Sequence, residues 1–297
     1  MHLSSPPVIL GASEESYNVQ KTRFFACAQN DRGGAEDDRG TFPQKTRHFY
    51  YTTFLVQKKG KVFMVVFISG ASRGIGAAMA LHFAALGYDV AVNGAHDAAA
   101  LDDIAKKTGG LALFGDVADY DTVKGFFDKI IATYGQIDII INNAGISHIG
   151  FFADMTENEW HRLINVNLGG VINCCHAALP HMLSRGKGNI VNISSIWGEA
   201  GASCEAVYSA TKGGVNAFTK ALAKELGSCA IRANAISCGV INTGMNSFLS
   251  KQELDELVSQ IALGRVGQPH EVALVAEYLI NAEYVTGQII GLDGGGF

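Results

Sequence analysis

The chain has 297 residues, 48% of them hydrophobic, and a formal charge of −5. That length suits one large α/β domain or two small ones, and the negative balance gives no basic field for nucleic acid. Thirty-five glycines against five prolines favour tight strand-to-helix turns over a disordered or collagen-like chain, and no apolar run approaches the about 18 residues of a membrane span.

The six cysteines, at 27, 174, 175, 204, 229 and 238, form no C-x-x-C pair and no metal-ligand spacing. They read as reduced thiols of a cytoplasmic protein, with no metal site expected.

Residues 1–60 differ from the rest. The stretch from Ala28 to Gly40 is polar and has neither helical nor strand period, and Phe49, Tyr50, Tyr51 and Phe54 cluster without pattern. Pro7 to Leu10 is too brief for a signal-peptide core. One reading is a poorly structured extension. The preferred one is a start codon set too far upstream, with the chain beginning at Met64, where a first strand should start. The folded domain is expected over 61–297.

Val62 to Ser69 is a continuous apolar run, the pattern of a strand buried on both faces. It leads into Gly70-Ala71-Ser72-Arg73-Gly74-Ile75-Gly76 and a helix from Ala77 to Leu86, ended by Gly87. A glycine-rich turn between strand and helix is a phosphate cradle: the glycines admit the pyrophosphate, and the helix N-terminus offers free N–H groups. The second strand, Asp89 to Asn93, ends without the carboxylate that grips a ribose 2′-hydroxyl in NAD sites. Asn93-Gly94-Ala95-His96 stand there instead, and the first acid is Asp97. Arg73 could pair with a 2′-phosphate or be a solvated loop charge. Together these features argue for NADP.

A helix from Ala98 to Lys107 and a strand from Leu111 to Phe114 follow, ending in Gly115-Asp116-Val117. Asp116 could accept from an adenine amino group or cap the next helix, Asp121 to Tyr134. Strand Ile137 to Ile141 ends in Asn142-Asn143-Ala144-Gly145, at the kind of edge where ligands bind in open α/β sheets. A long helix, Glu157 to Met182, carries Asn167. A buried Asn in mid-helix is costly unless bonded, so it either holds a water or packs.

Strand Gly188 to Ile193 ends just before Ser195. Tyr208 and Lys212 lie on the next helix, Tyr208 to Leu226, four residues apart and so on one face. An ammonium beside a phenol favours the phenolate, which would bring a Tyr of pKa about 10 into the range of general acid–base work. Ser195 could bond a substrate carbonyl beside it. Strand Ile231 to Ile236, loop Ser237 to Thr243, a helical flap over 244–262, helix Pro269 to Asn281 and strand Gln288 to Leu292 complete the chain.

With these pieces in order, Met64 to Phe297 resembles the short-chain dehydrogenase/reductase family. The matching elements are S-G-A-S-R-G-I-G, Asp116-Val117, Asn142-Asn143-Ala144-Gly145, Asn167, N-I-S-S ending at Ser195, Y-S-A-T-K at 208–212, I-R-A-N at 231–234 and the closing D-G-G. The resemblance implies a single Rossmann-type doubly wound parallel sheet of about seven strands with helices on both faces. It implies that Tyr208 gives a proton to a carbonyl oxygen and that Ser195 orients and polarises that carbonyl. Lys212 would lower the Tyr pKa and hold the nicotinamide ribose, and Asn167 would hold a water in a proton relay. NADP(H) would supply the hydride and lie against Gly70, Ser72, Arg73, Gly74, Ile75, Gly76, Asn93, Asp116, Val117, Asn143, Ala144 and Gly145, with Ile241 and Thr243 at its carboxamide. A homotetramer is implied through the long helices after strands four and five and the C-terminal strand, with which Ala217, Ala221 and Ile289-Ile290 are compatible. One departure stands out: Cys238-Gly239 replaces the common Pro-Gly. Losing Pro should free the backbone there, and Cys238 is either a reactive thiol near the nicotinamide or a passive replacement.

The nearest pattern within the family is that of the 3-oxoacyl-[acyl-carrier-protein] reductases of fatty acid biosynthesis, which reduce a β-keto thioester with NADPH. A narrower resemblance, over W-G-E-A-G-A-S-C-E-A-V-Y-S-A-T-K, is to the elongation factor P 5-aminopentanone reductases. Acyl-carrier proteins are acidic. Cys229 stands where their reductases often carry a base, while Arg185 and Lys187 offer positive charge near the other docking position. Glu199 and Glu205, between Ser195 and Tyr208, suit an amine-bearing substrate or are simply solvated. Other ketones stay open, as does a dinucleotide-binding regulator, against which the Asn167–Ser195–Tyr208–Lys212 set argues.

Overall fold

The computed structural model describes residues 64–246 and 250–296. The expected N-terminal extension, the first two residues of the expected first strand and residues 247–249 of the expected flap lie outside them. Seven strands form: β1 (Val65–Ile68), β2 (Asp89–Gly94), β3 (Leu111–Phe114), β4 (Ile139–Asn142), β5 (Gly188–Ser195), β6 (Ile231–Cys238) and β7 (Ile289–Leu292). They make one sheet in the order β3-β2-β1-β4-β5-β6-β7, parallel at every pairing. The connections carry helices α1 (Gly74–Ala85), α2 (Ala98–Thr108), α3 (Tyr120–Tyr134), α4 (Glu157–Ile164), α5 (Gly170–Arg185), the short α6 (Trp197–Ala200), α7 (Ala206–Leu226), α8 (Lys251–Ser259) and α9 (Pro269–Asn281).

Successive strand side chains point to opposite faces, and here both faces are covered. Val65 and Phe67 join a core with Phe127 and Ile130 of α3, Cys174 and Ala178 of α5, and Val215 and Leu222 of α7. Val66 and Ile68 enter the opposite core with Met79 and Phe83 of α1, Leu101 of α2, and Val272 and Leu279 of α9. This two-sided burial is why the strands read as unbroken apolar runs. The expected doubly wound sheet is therefore present. The order reverses between β1 and β4, so the crossovers leave these two strands on opposite sides and open a crevice at their C-terminal ends.

Several elements differ from the expectation. Helix α1 begins at Gly74, inside the glycine turn. Strands β5 and β6 run two residues further, with Ser194 opposite Ser237 and Ser195 opposite Cys238. The long helix expected from Glu157 is broken by a π-helical turn, Asn165–Gly169, between α4 and α5. Asp119, not Asp116, caps α3, accepting from the Thr122 N–H at 2.7 Å. The backbone around Cys238 is held rather than freed: its carbonyl accepts from the Ile196 N–H at 3.1 Å, and the Gly239 N–H donates to Leu292 at 2.9 Å. Arg185 and Lys187 stand at the N-terminal end of β5, where both pair with Asp138 at 2.9 and 3.2 Å. Seven strand steps, about 23 Å at 3.3 Å each, separate them from the Ser195 end, so their charge is not at the mouth of the crevice.

Among the described residues no helix is long and apolar enough to cross a membrane. Cys174, Cys175, Cys204, Cys229 and Cys238 form no disulfide.

Candidate active site

The glycine turn after β1 is closely packed. Gly70 and Gly74 adopt φ of +63° and +60°, in the left-handed region that favours glycine. A Cβ on Gly76 would lie 2.6 Å from Asn143 Nδ2, and one on Gly70 would lie 2.7 Å from the Ala144 Cα. The loops after β1 and β4 therefore touch. Asn143 joins them, its Nδ2 donating to the Ser69 and Gly70 carbonyls at 3.0 and 2.9 Å, while the Asn143 and Ala144 N–H groups donate to Ser69 Oγ at 3.0 Å. Arg73 stands at the N-cap of α1 with no side-chain cap bond, which leaves the first amides of the helix for an anion. A glycine cradle with no room for a Cβ, below open helix amides, fits a dinucleotide pyrophosphate.

Other expected cofactor residues divide. Ser72 lies beside Gly94, whose Cβ would be 3.4 Å from the Ser72 Cβ, and Thr243 faces Gly74 at the same 3.4 Å. Arg73 is exposed in the turn, and Ile75 packs against the core behind it. Ile241 is buried, and its carbonyl accepts from Asn246 Nδ2 at 2.8 Å. Asn93 is tied into the scaffold, its Nδ2 donating to the Leu113 and Gly115 carbonyls at 2.9 Å. Val117 packs where a Cβ on Gly170 would meet it at 2.6 Å. Asp116 accepts from the Ala118 N–H at 2.9 Å and pairs with Arg162 of α4 at 2.5 Å. Asp97, the first acid after β2, caps α2 by accepting from the Ala100 N–H at 2.9 Å.

Ser195, Tyr208 and Lys212 converge at the C-terminal edge of β5. Ser195, the last residue of β5, is buried, accepts from the Trp197 N–H at 3.2 Å and lies near enough to the Tyr208 hydroxyl to favour its ionisation. Tyr208 and Lys212 lie one turn apart on α7, and Lys212 Nζ is 5.6 Å from the Tyr208 ring centroid. The expected lowering of the phenol by the ammonium does not appear. Burial pushes the Tyr208 hydroxyl above its ordinary value, Ser195 opposes this, and the charges of Glu205 and Cys238 add to the rise. Burial also lowers the Lys212 ammonium to about 8, and its Nζ donates to the Ile193 carbonyl at 2.8 Å. Cys238 is pushed up to about 12 by burial. A thiol held protonated is a poor nucleophile, so the passive reading of Cys238 stands.

Asn167 sits in the π-helical turn and is fully buried. Its Oδ1 accepts from the Ile146 N–H and its Nδ2 donates to the Ile146 carbonyl, both at 2.8 Å, with Thr211 Oγ1 at 3.4 Å. Both amide protons are thus spent on the protein. Thr211 in turn donates to the Tyr208 carbonyl at 2.7 Å. Asn167 therefore braces the loop after β4 against the Tyr208 turn of α7.

A cavity opens against Tyr208, lined by His148, Phe152, Met155, Leu163, Cys204 and Glu205 among others. The Gly150 N–H donates to the Cys204 carbonyl at 2.9 Å, closing the loop after β4 onto the segment before α7. Sequence reasoning placed Glu205 at this mouth but missed His148, Phe152, Met155 and Leu163. Their meeting depends on a contact between segments some fifty residues apart, for which local sequence carries no signal. Glu199 is exposed on α6. No group of His, Cys, Asp and Glu among the described residues could hold a metal ion.

Residues 70–296 match a protein family described as enoyl-(acyl carrier protein) reductase. A Chlamydia muridarum protein named 3-oxoacyl-[acyl-carrier-protein] reductase FabG is 41% identical over 235 residues, 77% of this chain and 95% of that protein. Proteins of the same name from Thermotoga maritima and Staphylococcus aureus are 41% and 40% identical over 238 and 235 residues, covering 78% and 77% of this chain and 96% of each relative. The family match begins after β1 and spans the glycine cradle, the Ser195–Tyr208–Lys212 cluster and strands β2 to β7. The chain belongs to the short-chain dehydrogenase/reductase family and is an oxidoreductase that acts on CH–OH groups with a nicotinamide dinucleotide.

Proposed function

We propose that the protein reduces the ketone of a 3-oxoacyl thioester to a secondary alcohol with NADPH, in fatty acid biosynthesis. The observation that carries this reading is the convergence of Ser195, Tyr208 and buried Lys212 at the C-terminal edge of β5, with Lys212 Nζ 5.6 Å from the Tyr208 ring and 3.8 Å from a Cβ on Gly145 of the loop after β4. The nicotinamide supplies a hydride. The chain supplies a proton and orientation. Ser195 and Tyr208 turn their O–H groups onto the carbonyl oxygen, and Tyr208 gives it a proton as charge develops there. Burial suits this role, because it keeps the phenol protonated until the oxygen needs the proton. Lys212, charged at neutral pH, stabilises the phenolate left behind and lies within reach of a ribose. Asn167 keeps Tyr208 and the loop after β4 in register, and its Oδ1, which accepts one bond from the Ile146 N–H, retains a second lone pair for a relay water.

Gly70, Ser72, Gly74, Ile75 and Gly76 would hold the pyrophosphate of the dinucleotide, Asn143, Ala144 and Gly145 would line its path, and Ile241 and Thr243 would meet its carboxamide. Arg162 holds Asp116 at the adenine end, while Asn93 and Val117 shape the pocket from behind. Preference for NADP rests on the end of β2, where Asp97 is spent on a helix cap and Arg73 stands exposed beside Ser72. Residues 61–297 form the catalytic domain and 1–60 an extension. A cytoplasmic homotetramer belongs to the same proposal, with exposed Ala217 and Ala221 on α7 supplying close-approach surface.

The test is NADPH oxidation with an acetoacetyl thioester, with NADH in parallel. Faster turnover with NADPH is the expected result. No turnover despite NADPH binding would overturn the thioester reading in favour of a second one, reduction of an amine-bearing ketone on elongation factor P, which Glu205 in the cavity favours.

A further inference from the structure

One run of chain, Ile193 to Gly198, grips Lys212 from several sides. The Ile193 carbonyl accepts from Lys212 Nζ at 2.8 Å. Ser194, buried in β5, donates from its Oγ to the Lys212 carbonyl at 3.3 Å. Ser195 Oγ accepts from the N–H of Trp197, the first residue of α6. One residue on, Gly198 of α6 meets the backbone of α7. A Cβ on Gly198 would lie 2.7 Å from the Lys212 carbonyl carbon, 2.9 Å from the Gly213 nitrogen and 2.9 Å from the Lys212 Cβ. From the other side, a Cβ on Gly213 would lie 3.2 Å from the Gly198 carbonyl oxygen.

Gly198 lies outside the left-handed region, so its backbone conformation does not demand glycine. Space does. The Lys212 carbonyl carbon and the Gly213 nitrogen are main-chain atoms inside a helix and cannot swing aside as a side-chain tip can. A Cβ at Gly198 would have to part α6 from α7 by roughly 0.8 Å to reach the ordinary carbon–carbon separation of about 3.5 Å. Ser195 leads directly into α6, whereas Tyr208 and Lys212 ride on α7. Parting the two helices therefore moves Ser195 away from Tyr208 and Lys212.

We propose that Gly198 and Ser194 are positioning residues, which clamp the Lys212 peptide of α7 against β5 and so set the spacing of Tyr208 and Lys212 from Ser195. Gly198 acts by close approach and Ser194 by its hydrogen bond. The proposal rests on the reading of Ser195, Tyr208 and Lys212 as the reducing site. Displacements of this size matter there, because misplacing reacting groups by about 1 Å can cost a hundredfold in rate.

The experiment measures kcat for acetoacetyl thioester reduction, NADPH affinity by fluorescence and the urea midpoint in the parent protein, Gly198→Ala, Ser194→Ala and Gly188→Ala. Gly188 opens β5 at its other end and is crowded too, with a Cβ there 2.6 Å from Met182 Sδ. Its variant reports what crowding alone does. Gly198→Ala should lower kcat at least about tenfold and leave NADPH affinity within about threefold, since the glycine cradle is untouched. Ser194→Ala introduces no clash and should lose about threefold in kcat, the scale of one ordinary hydrogen bond. Gly188→Ala should lose stability and keep the parent's kcat. If Gly198→Ala does not fold, Ser194→Ala decides. A parent-like kcat in folded Gly198→Ala, or in Ser194→Ala where it decides, would overturn the proposal and leave the Ser195–Tyr208 reading intact. So would an equal loss of kcat in Gly188→Ala. A parent that binds NADPH and reduces no ketone would overturn both.

Discussion

Lys212 Nζ donates to the carbonyl of Ile193 at 2.8 Å, so the ammonium of the Tyr–Lys pair is anchored on β5 rather than on the phenol. The bond fixes the Lys212 side chain and returns part of the solvation that burial removes.

The remainder of that cost predicts a pH-dependent stability. Burial holds the Lys212 ammonium at about 8 against an ordinary 10.5. Below pH 8 the charge is present in both folded and unfolded chains, and holding it inside costs roughly 3 kcal/mol at about 1.4 kcal/mol per tenfold. Between pH 8 and 10.5 the unfolded chain binds more protons, so this group makes stability rise with pH. Lys212→Met should therefore unfold at higher urea than the parent at pH 7, with the gap closing towards pH 10. A gap independent of pH would show that the lysine carries no such cost.

Arg73 is the only cation in the glycine turn. If it meets a 2′-phosphate, removing one charge-assisted contact costs on the order of 1.5–3 kcal/mol. Arg73→Ala should raise KM for NADPH at least tenfold and leave KM for NADH within about twofold. Steady-state kinetics with both cofactors decide this, and equal losses would return Arg73 to a solvated loop charge.

Cys238 should behave as an inert thiol. With burial pushing it up to about 12, thiolate at pH 8 is scarce and access is closed. Iodoacetamide on the native protein, read by peptide mass spectrometry, should modify the partly exposed Cys204 well before Cys238. Prompt alkylation of Cys238 would mean that the nicotinamide end of the site is open.

Much of the sheet was legible because parallel strands covered on both faces are continuous apolar runs, as at Val65–Ile68 and Ile139–Ile141. The cradle and the Tyr208–Lys212 spacing were legible because φ > 0 and a one-turn separation demand particular residues at particular intervals. The rest depends on tertiary partners. Ser194, Ser195, Ser237 and Cys238 read as loop, yet they pair, because ladder bonds use backbone and not side chains. The π-helical turn at Asn165–Gly169 leaves no periodic mark over five residues. That Arg185 and Lys187 share Asp138, which offsets one of their two charges, depends on a partner far off in sequence. The phenol's shift depends on how deeply the fold encloses it, which the four-residue spacing does not encode.

The central claim is that the Tyr208 hydroxyl delivers the proton. Its most direct test is the rate of acetoacetyl thioester reduction by Tyr208→Phe at saturating NADPH, alongside NADPH affinity measured by fluorescence. A general acid of this kind contributes about 10²–10⁴-fold. The account predicts a loss of at least about a hundredfold in kcat with NADPH affinity little changed, since the ring stays in place. Turnover within about threefold of the parent, short of any general-acid contribution, would contradict it.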